Sequence, residues 1–195
     1  QIYDLNNARF LANSEIELKG ESYMLAPVQT HATYELAFNI RVNTQQTIGH
    51  GGWQQIIRIG PDHPSNIRQP GVWYIHSNDY TTLHIKVQSP DGSGHQEGPY
   101  QISFPNLTDG NKHRFFIRVY EDVGMANNLI VDQLQMRIFY ESESNEVWAS
   151  DLKERNRNDG EPLQYVHVGP DGGTQSLDGV YLSNIYYREF TKDDV

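Results

Sequence analysis

The chain has 195 residues, with 15 Lys and Arg against 25 Asp and Glu; the formal charge of −10 repels phosphate backbones and argues against sequence-independent nucleic-acid binding. It contains no cysteine, which excludes disulfide staples, thiolate metal sites and cysteine nucleophiles. No apolar run approaches the roughly 20 residues that cross a bilayer, and the opening QIYDLNNARF lacks the basic head and hydrophobic body of a signal peptide, so membrane insertion is not expected.

The length suits one domain over residues 1–195. Alternation with period 2 runs through it, and no helical periodicity lasts beyond about two turns, so an all-β chain is predicted. In chain order, YELAFNIRV (34–42) turns Leu36, Phe38, Ile40 and Val42 to one face and Glu35, Ala37, Asn39 and Arg41 to a wet one. TTLHIKV (81–87) buries Leu83, Ile85 and Val87 and exposes His84 and Lys86. RFFIRVY (114–120) buries Phe115, Ile117 and Val119 and exposes Phe116, Arg118 and Tyr120. The one candidate helical turn is Asn127–Gln133, and LQMRIFY (134–140) reads as a strand again. Gly, Pro, Asn and Asp crowd the intervening stretches, GHGG, GPDHPSN, SPDGSG, PNLTDGN, RNRNDGEP and GPDGG, as turns do. Short strands at this spacing predict a two-sheet sandwich without crossover helices.

From about Ser14 to Phe190 the order of these segments resembles the concanavalin A-like lectin and glucanase superfamily, in particular its laminin-G-like and pentraxin-like branches. The most specific part is the closing pair, LQYVHVGPDGG followed by DGVYLSNIYYREF, in which a glycine ends one strand and an aromatic-rich strand returns to the start of the chain. Within LTDGNKHRFFIRVYED, His113 stands where such domains usually carry Trp. The resemblance implies an antiparallel jelly-roll β-sandwich of two curved sheets. Lectins, adhesion modules, glycosidases, lyases and structural spacers all use that fold, so it does not choose among functions.

Retaining glucanases of this superfamily carry Glu-x-Asp-x-x-Glu on a concave strand. Glu141, Glu143 and Glu146 come close, and by that analogy Glu141 is the nucleophile and Glu146 the acid/base of a glycoside hydrolase or polysaccharide lyase. Against it, the middle residue is Glu rather than Asp, and ESESNE lies between two alternating runs, where an ordinary hairpin turn is the stronger reading.

The eight histidines include no His-x-x-x-His or His-Glu-x-x-His spacing, and no Gly-x-Ser-x-Gly elbow exists, so neither a zinc site nor a serine triad is expected. Calcium is the one cofactor left open: relatives bind it through loop oxygens, and Asp62, Asp79, Asp171 and Asp178 sit in loop-like segments. Aspartate is also the default turn residue. Sugar binding asks for an aromatic ring beside planar polar groups, and two clusters supply both: His50 and Trp53, then Trp73, His76, Asn78, Asp79 and Tyr80. The competing reading is that both tryptophans fill the core. Arg41, Arg58, Lys86, Arg118 and Arg137 occupy outward register, forming a basic face for anionic glycan or a neighbouring subunit if their strands share one sheet; internal pairing with Glu35, Glu121 and Glu141 is the alternative. One glycosylation sequon, Asn106-Leu107-Thr108, permits an extracellular life without arguing for one. The sequence therefore reads as a non-catalytic carbohydrate-binding or adhesion module of a larger extracellular, surface or virion protein. A structural domain for homo-oligomer or filament assembly is the first alternative and a glycan-cleaving enzyme the second.

Overall fold

The computed structural model describes residues 4–5, 8–19, 23–28, 33–43, 54–60, 70–74, 80–88, 96–99, 101–126, 129–150, 153–155, 164–169 and 177–189. Its strands are β1 (Asp4–Leu5), β2 (Ala8–Ala12), β3 (Ile16–Glu17), β4 (Tyr23–Val28), β5 (Tyr34–Val42), β6 (Gln54–Gly60), β7 (Gly71–Tyr74) and β8 (Thr82–Gln88), followed by β9 (Gln96–Glu97), β10 (Ile102–Ser103), β11 (Lys112–Ala126), β12 (Leu129–Tyr140), β13 (Glu146–Ala149), β14 (Lys153–Arg155), β15 (Gln164–Val168) and β16 (Val180–Glu189). Among the described residues no helix is long and apolar enough to cross a membrane.

Two antiparallel sheets result, the sandwich that the alternation predicts and the jelly roll that the resemblance implies. The nine-stranded sheet runs β1-β2-β16-β5-β11-β12-β13, with β14 on β12 and β3 on β16; the seven-stranded sheet runs β10-β8-β7-β6-β15-β4, with β9 on β8. The last strand does return to the chain's start, pairing β16 with both β2 and β3. One expectation fails: Leu129–Gln133 is not a helical turn but the first part of β12, paired from Ala126↔Leu129 to Asp122↔Gln133. Ile130 and Val131 are β-branched and gain more from a pleated partner than from an isolated turn of helix.

The inward-facing residues of both sheets form one hydrophobic cluster. Leu36, Phe38, Ile40, Phe115, Ile117 and Ile138 meet Ile57, Ile59, Val72, Leu83, Ile85 and Val166 there, and burying each such side chain contributes about 1.5–3 kcal/mol. Phe104, just past β10, sits edge-on to Phe115 at 4.9 Å and 4.7 Å from Tyr140, joining the two sheets at one end.

The outer face of the nine-stranded sheet departs from the simple wet side expected of it. One rung across β16, β5, β11 and β12 reads Arg188, Glu35, Arg118, Arg137, and the next reads Tyr186, Ala37, Phe116, Phe139. Glu35 is 0% exposed, and Ala37, Phe116 and Phe139 form a second apolar cluster with Tyr186 packed against it. The Glu35 carboxylate accepts from Arg118 Nε at 2.6 Å, Arg188 Nη2 at 2.8 Å and the Tyr186 hydroxyl at 2.9 Å. Burial and the Glu35 charge push that hydroxyl up to about 12. Guanidinium planes cover the rings: Arg118 lies 4.5 Å over Phe139, Arg114 4.8 Å over Tyr186 and Arg137 5.3 Å over Tyr120. Long cationic side chains thus cover an aromatic stripe while keeping their charged ends near water.

On the seven-stranded sheet the outer face carries Trp73. The position where a Cβ on Gly71 would stand lies 1.8 Å from Trp73 Cη2, so the indole rests directly on the glycine. Gly71→Ala is therefore expected to cost about 1–3 kcal/mol by overpacking, measured by urea unfolding. In a Trp73→Ala background the same substitution should cost close to nothing, because the clash partner is gone.

Candidate functional site

The strand registers bring the described strand ends that flank most of the loop residues predicted from sequence to one end of the sandwich. In the seven-stranded sheet Gln54 pairs with Tyr74, Tyr74 with Leu83, and Val168 with Ile57. In the other, Val180 pairs with Val42, Lys112 with Arg41, and Phe115 with Tyr140. The described ends of β5, β7, β12 and β15 and the starts of β6, β8, β11 and β16 therefore lie together. Two contacts fasten this end: Gln55 Nε2 donates to the Gly169 carbonyl at 2.9 Å, and Gly169 N to Ile56 O at 2.9 Å.

His50, Trp53, His76, Asn78, Asp79 and Asp171 lie outside the described residues, but the segments carrying them, 44–53, 75–79 and 170–176, leave from these neighbouring ends. Asp178 and Tyr80 are described at the same end. The Tyr80 ring belongs to the core, 5.0 Å from Tyr74 and edge-on to it, and burial followed by the nearby Asp178 charge raises its hydroxyl. Asp62, also outside the described residues, follows Gly60 at the opposite end of β6. Trp73 joins neither reading made of it: it is absent from the inter-sheet cluster, yet on its outer face it is only 6% exposed, 5.8 Å from His84. Among the described residues no group of three or more His, Asp or Glu is arranged to hold a metal ion.

The five predicted basic residues do not form one face. Arg41, Arg118 and Arg137 lie on β5, β11 and β12 of the nine-stranded sheet, whereas Arg58 and Lys86 lie on β6 and β8 of the other, on the far side of the sandwich. Alternation assigns a side chain to a face but not a strand to a sheet, hence the error. The first three are paired internally: Arg41 with Glu15 at 2.7 Å, Arg118 with Glu35, and Arg137 with Glu146 at 3.6 Å. Arg41 pulls the Glu15 carboxyl down to about 2. Lys86 Nζ donates to the Gly98 carbonyl at 2.5 Å. The strands of the seven-stranded sheet hold one acidic residue, Glu97, beside Arg58, Lys86, His84 and His167; in an acidic protein their field is of the opposite sign to the average. His84 and His167 are buried on this outer face rather than exposed.

Glu141 and Glu143 occupy the turn between β12 and β13, as the polar cluster predicts, and Glu146 opens β13; each meets a different base. Glu143 binds both Arg118 and Arg188, bridging the same two guanidinium groups as Glu35. Glu146 faces Arg137, and Glu141 faces His113. Glu141 takes a left-handed backbone, φ 65°, with its amide donating to Arg114 O at 2.7 Å. That conformation is unfavourable by roughly 1 kcal/mol for a side chain of this size. It directs the carboxylate to His113 Nδ1 at 2.6 Å, while His113 Nε2 lies 2.9 Å from Asp109 Oδ1. The Tyr140 ring stacks on the imidazole, its hydroxyl 2.7 Å from Nδ1. Burial disfavours the charged imidazole, and the carboxylate on each nitrogen favours it more, so the balance is raised towards the imidazolium. In the sequence His113 stands out only as the replacement of a tryptophan; the Asp109-x-x-x-His113 spacing is the one signal of this cluster, and the reach to Glu141 across the sheet leaves none.

No protein-family model and no curated protein matches this chain. Solved structures do. The receptor binding domain of botulinum neurotoxin D is similar with a TM-score of 0.55 at 10% identity, over 99% of this chain and 44% of that one. The W1238A mutant of a protein designated HCR/D gives 0.53 at 11% identity, over 100% and 44%. A sialidase of Trypanosoma rangeli gives 0.52 at 12% identity, over 96% and 26%. What these proteins share with this chain is the antiparallel β-sandwich. The chain spans less than half the length of each, so their activities belong to larger molecules.

Proposed function

We propose that this chain is a non-catalytic carbohydrate-recognition or adhesion module, a single domain of a larger extracellular, cell-surface or virion protein, that takes its glycan at the loop end of the sandwich. The observation that carries the reading is convergence. His50 and Trp53, and His76, Asn78 and Asp79 with Trp73 and Tyr80, each join an aromatic ring to planar polar partners and lie apart in sequence; the segments that carry them adjoin Gln54 and Tyr74, which stand opposite one another in the β6–β7 ladder. Asp171 and Asp178 belong to the connection entering the same end, which gives calcium, if bound, a place beside the sugar. The engagement of Glu141, Glu143 and Glu146 by separate bases favours binding over hydrolysis, since a glycosidase needs two carboxylates free to flank one bond. The partial coverage of longer sandwich-bearing proteins supports a module rather than a whole protein.

A glycan array probed with and without calcium tests this directly. A defined set of ligands is expected, and Trp53→Ala and Asn78→Ala should each weaken binding about tenfold or more, near 1.4 kcal/mol, with the melting temperature unchanged. Binding that survives both substitutions would move the site elsewhere, and an empty array in both conditions would reject the reading.

A further inference from the structure

Independently of the ligand, we propose that Asn106 is an acceptor for N-linked carbohydrate. The sequon Asn106-Leu107-Thr108 lies in the connection from β10 to β11, where two successive turns are closed by Leu107 N to Phe104 O at 2.9 Å and Asp109 N to Asn106 O at 3.1 Å. The turns separate the three side chains by environment. Leu107 is fully buried in the core, while Asn106 and Thr108 are both exposed. Their neighbours in the loop are engaged: Asp109 holds His113 and the amide of Asn111, and Asn111 Nδ2 returns to Asp109 Oδ2 at 3.0 Å. The Asn106 amide and Thr108 hydroxyl take no part in that network, so modification disturbs no bond of the folded chain. The buried leucine between them fixes the loop with the acceptor amide and the hydroxyl turned to solvent.

A sequon is common by chance, and a surface turn is what separates a usable one from a buried one. The step is a glycosyl transfer from a lipid-diphosphate-linked oligosaccharide. The Asn106 amide nitrogen forms a bond to the anomeric carbon, the bond from that carbon to the diphosphate oxygen breaks, and the amide gives up one proton. Carbohydrate at this position stands next to β10, the two-residue strand that ends the seven-stranded sheet among the described residues, and shields that edge from pairing with another chain.

The test is secretion of the full chain from eukaryotic cells with a second Asn-Leu-Thr sequon appended at its C-terminus as an internal control. Intact mass and peptide mapping should find glycan on both acceptors, with an amidase specific for the glycan–asparagine bond removing it. Thr108→Ala, which keeps the asparagine, should abolish occupancy at Asn106 alone, and Thr108→Ser should retain it. Because neither side chain holds the fold together, the melting temperature of Asn106→Gln made in bacteria should match that of the unsubstituted chain. An occupied appended sequon with an empty Asn106, or occupancy that persists in Thr108→Ala, would overturn the proposal.

Discussion

Glu35→Ala is expected to be among the most damaging single substitutions in the molecule, lowering the unfolding free energy by about 3–5 kcal/mol. The carboxylate is fully buried and accepts from two guanidinium groups and a tyrosine hydroxyl. Its loss leaves Arg118, itself only 11% exposed at the side chain, without its principal counter-charge on a face already occupied by aromatic rings. Glu143 contacts the same two arginines but is half exposed, so water screens it and it replaces only part of what is lost. Glu35→Gln should fall between the two, since the amide still accepts from Tyr186 but carries no charge. Urea unfolding of both variants is the measurement. A loss below about 1 kcal/mol for Glu35→Ala would mean that the arginines relax into solvent, and that the network orders the face without stabilising it.

The second large effect is a pH dependence seated on His113. Burial works against the imidazolium, but the hydrogen bonds and charges of Asp109 and Glu141 outweigh it and raise the histidine above its ordinary value of 6.5. Asp109 moves the other way, down to about 2, through the Asn111 backbone amide first and His113 second. The remaining neighbour, Tyr140, is raised by burial and by Glu141 and stays neutral throughout. Lys112 and Arg114 flank His113 on its own strand. A histidine raised on folding stabilises fully below its unfolded value and ceases to do so as pH rises through the folded one. A carboxylate lowered on folding stabilises above its unfolded value and ceases to do so as pH falls towards its folded one. His113 and Asp109 therefore contribute most between about pH 4 and 6.5, with a decline on either side. Melting temperatures from about pH 2 to 9 should drop on the alkaline limb in the unsubstituted protein, and His113→Gln should remove that limb while leaving the acid one. An alkaline limb that survives in His113→Gln would assign it to another group.

Much of the architecture could be read from the residues, because a buried sheet face imposes period 2 on YELAFNIRV and RFFIRVY and nothing else produces it. The pattern fails where the ladder slips. Strict alternation through VYLSNIYYRE would carry Tyr186 and Arg188 inward with Val180 and Leu182. The bulge between Ser183 and Tyr186, with Asn184 at φ 47°, reverses the parity, so that Ile185 and Tyr187 enter the core and Tyr186 and Arg188 reach Glu35. The expected wet faces proved partly buried for a related reason: composition along one strand cannot reveal that Arg118 lies over Phe139 and Arg114 over Phe116 and Tyr186, or that Glu143 from another segment joins Arg118 to Arg188. Grouping Arg58 with Arg118 needed the sheet assignment, which depends on contacts between residues far apart in the chain.

The placement of several connections at a single end leaves the two halves of the molecule under different structural constraints. Lengthening or exchanging residues 44–53 or 75–79 alters the tip without touching a rung of either ladder or Tyr80 in the core. A library randomised in those two intervals should therefore yield folded proteins at high frequency, which makes the chain a scaffold whatever its tip binds.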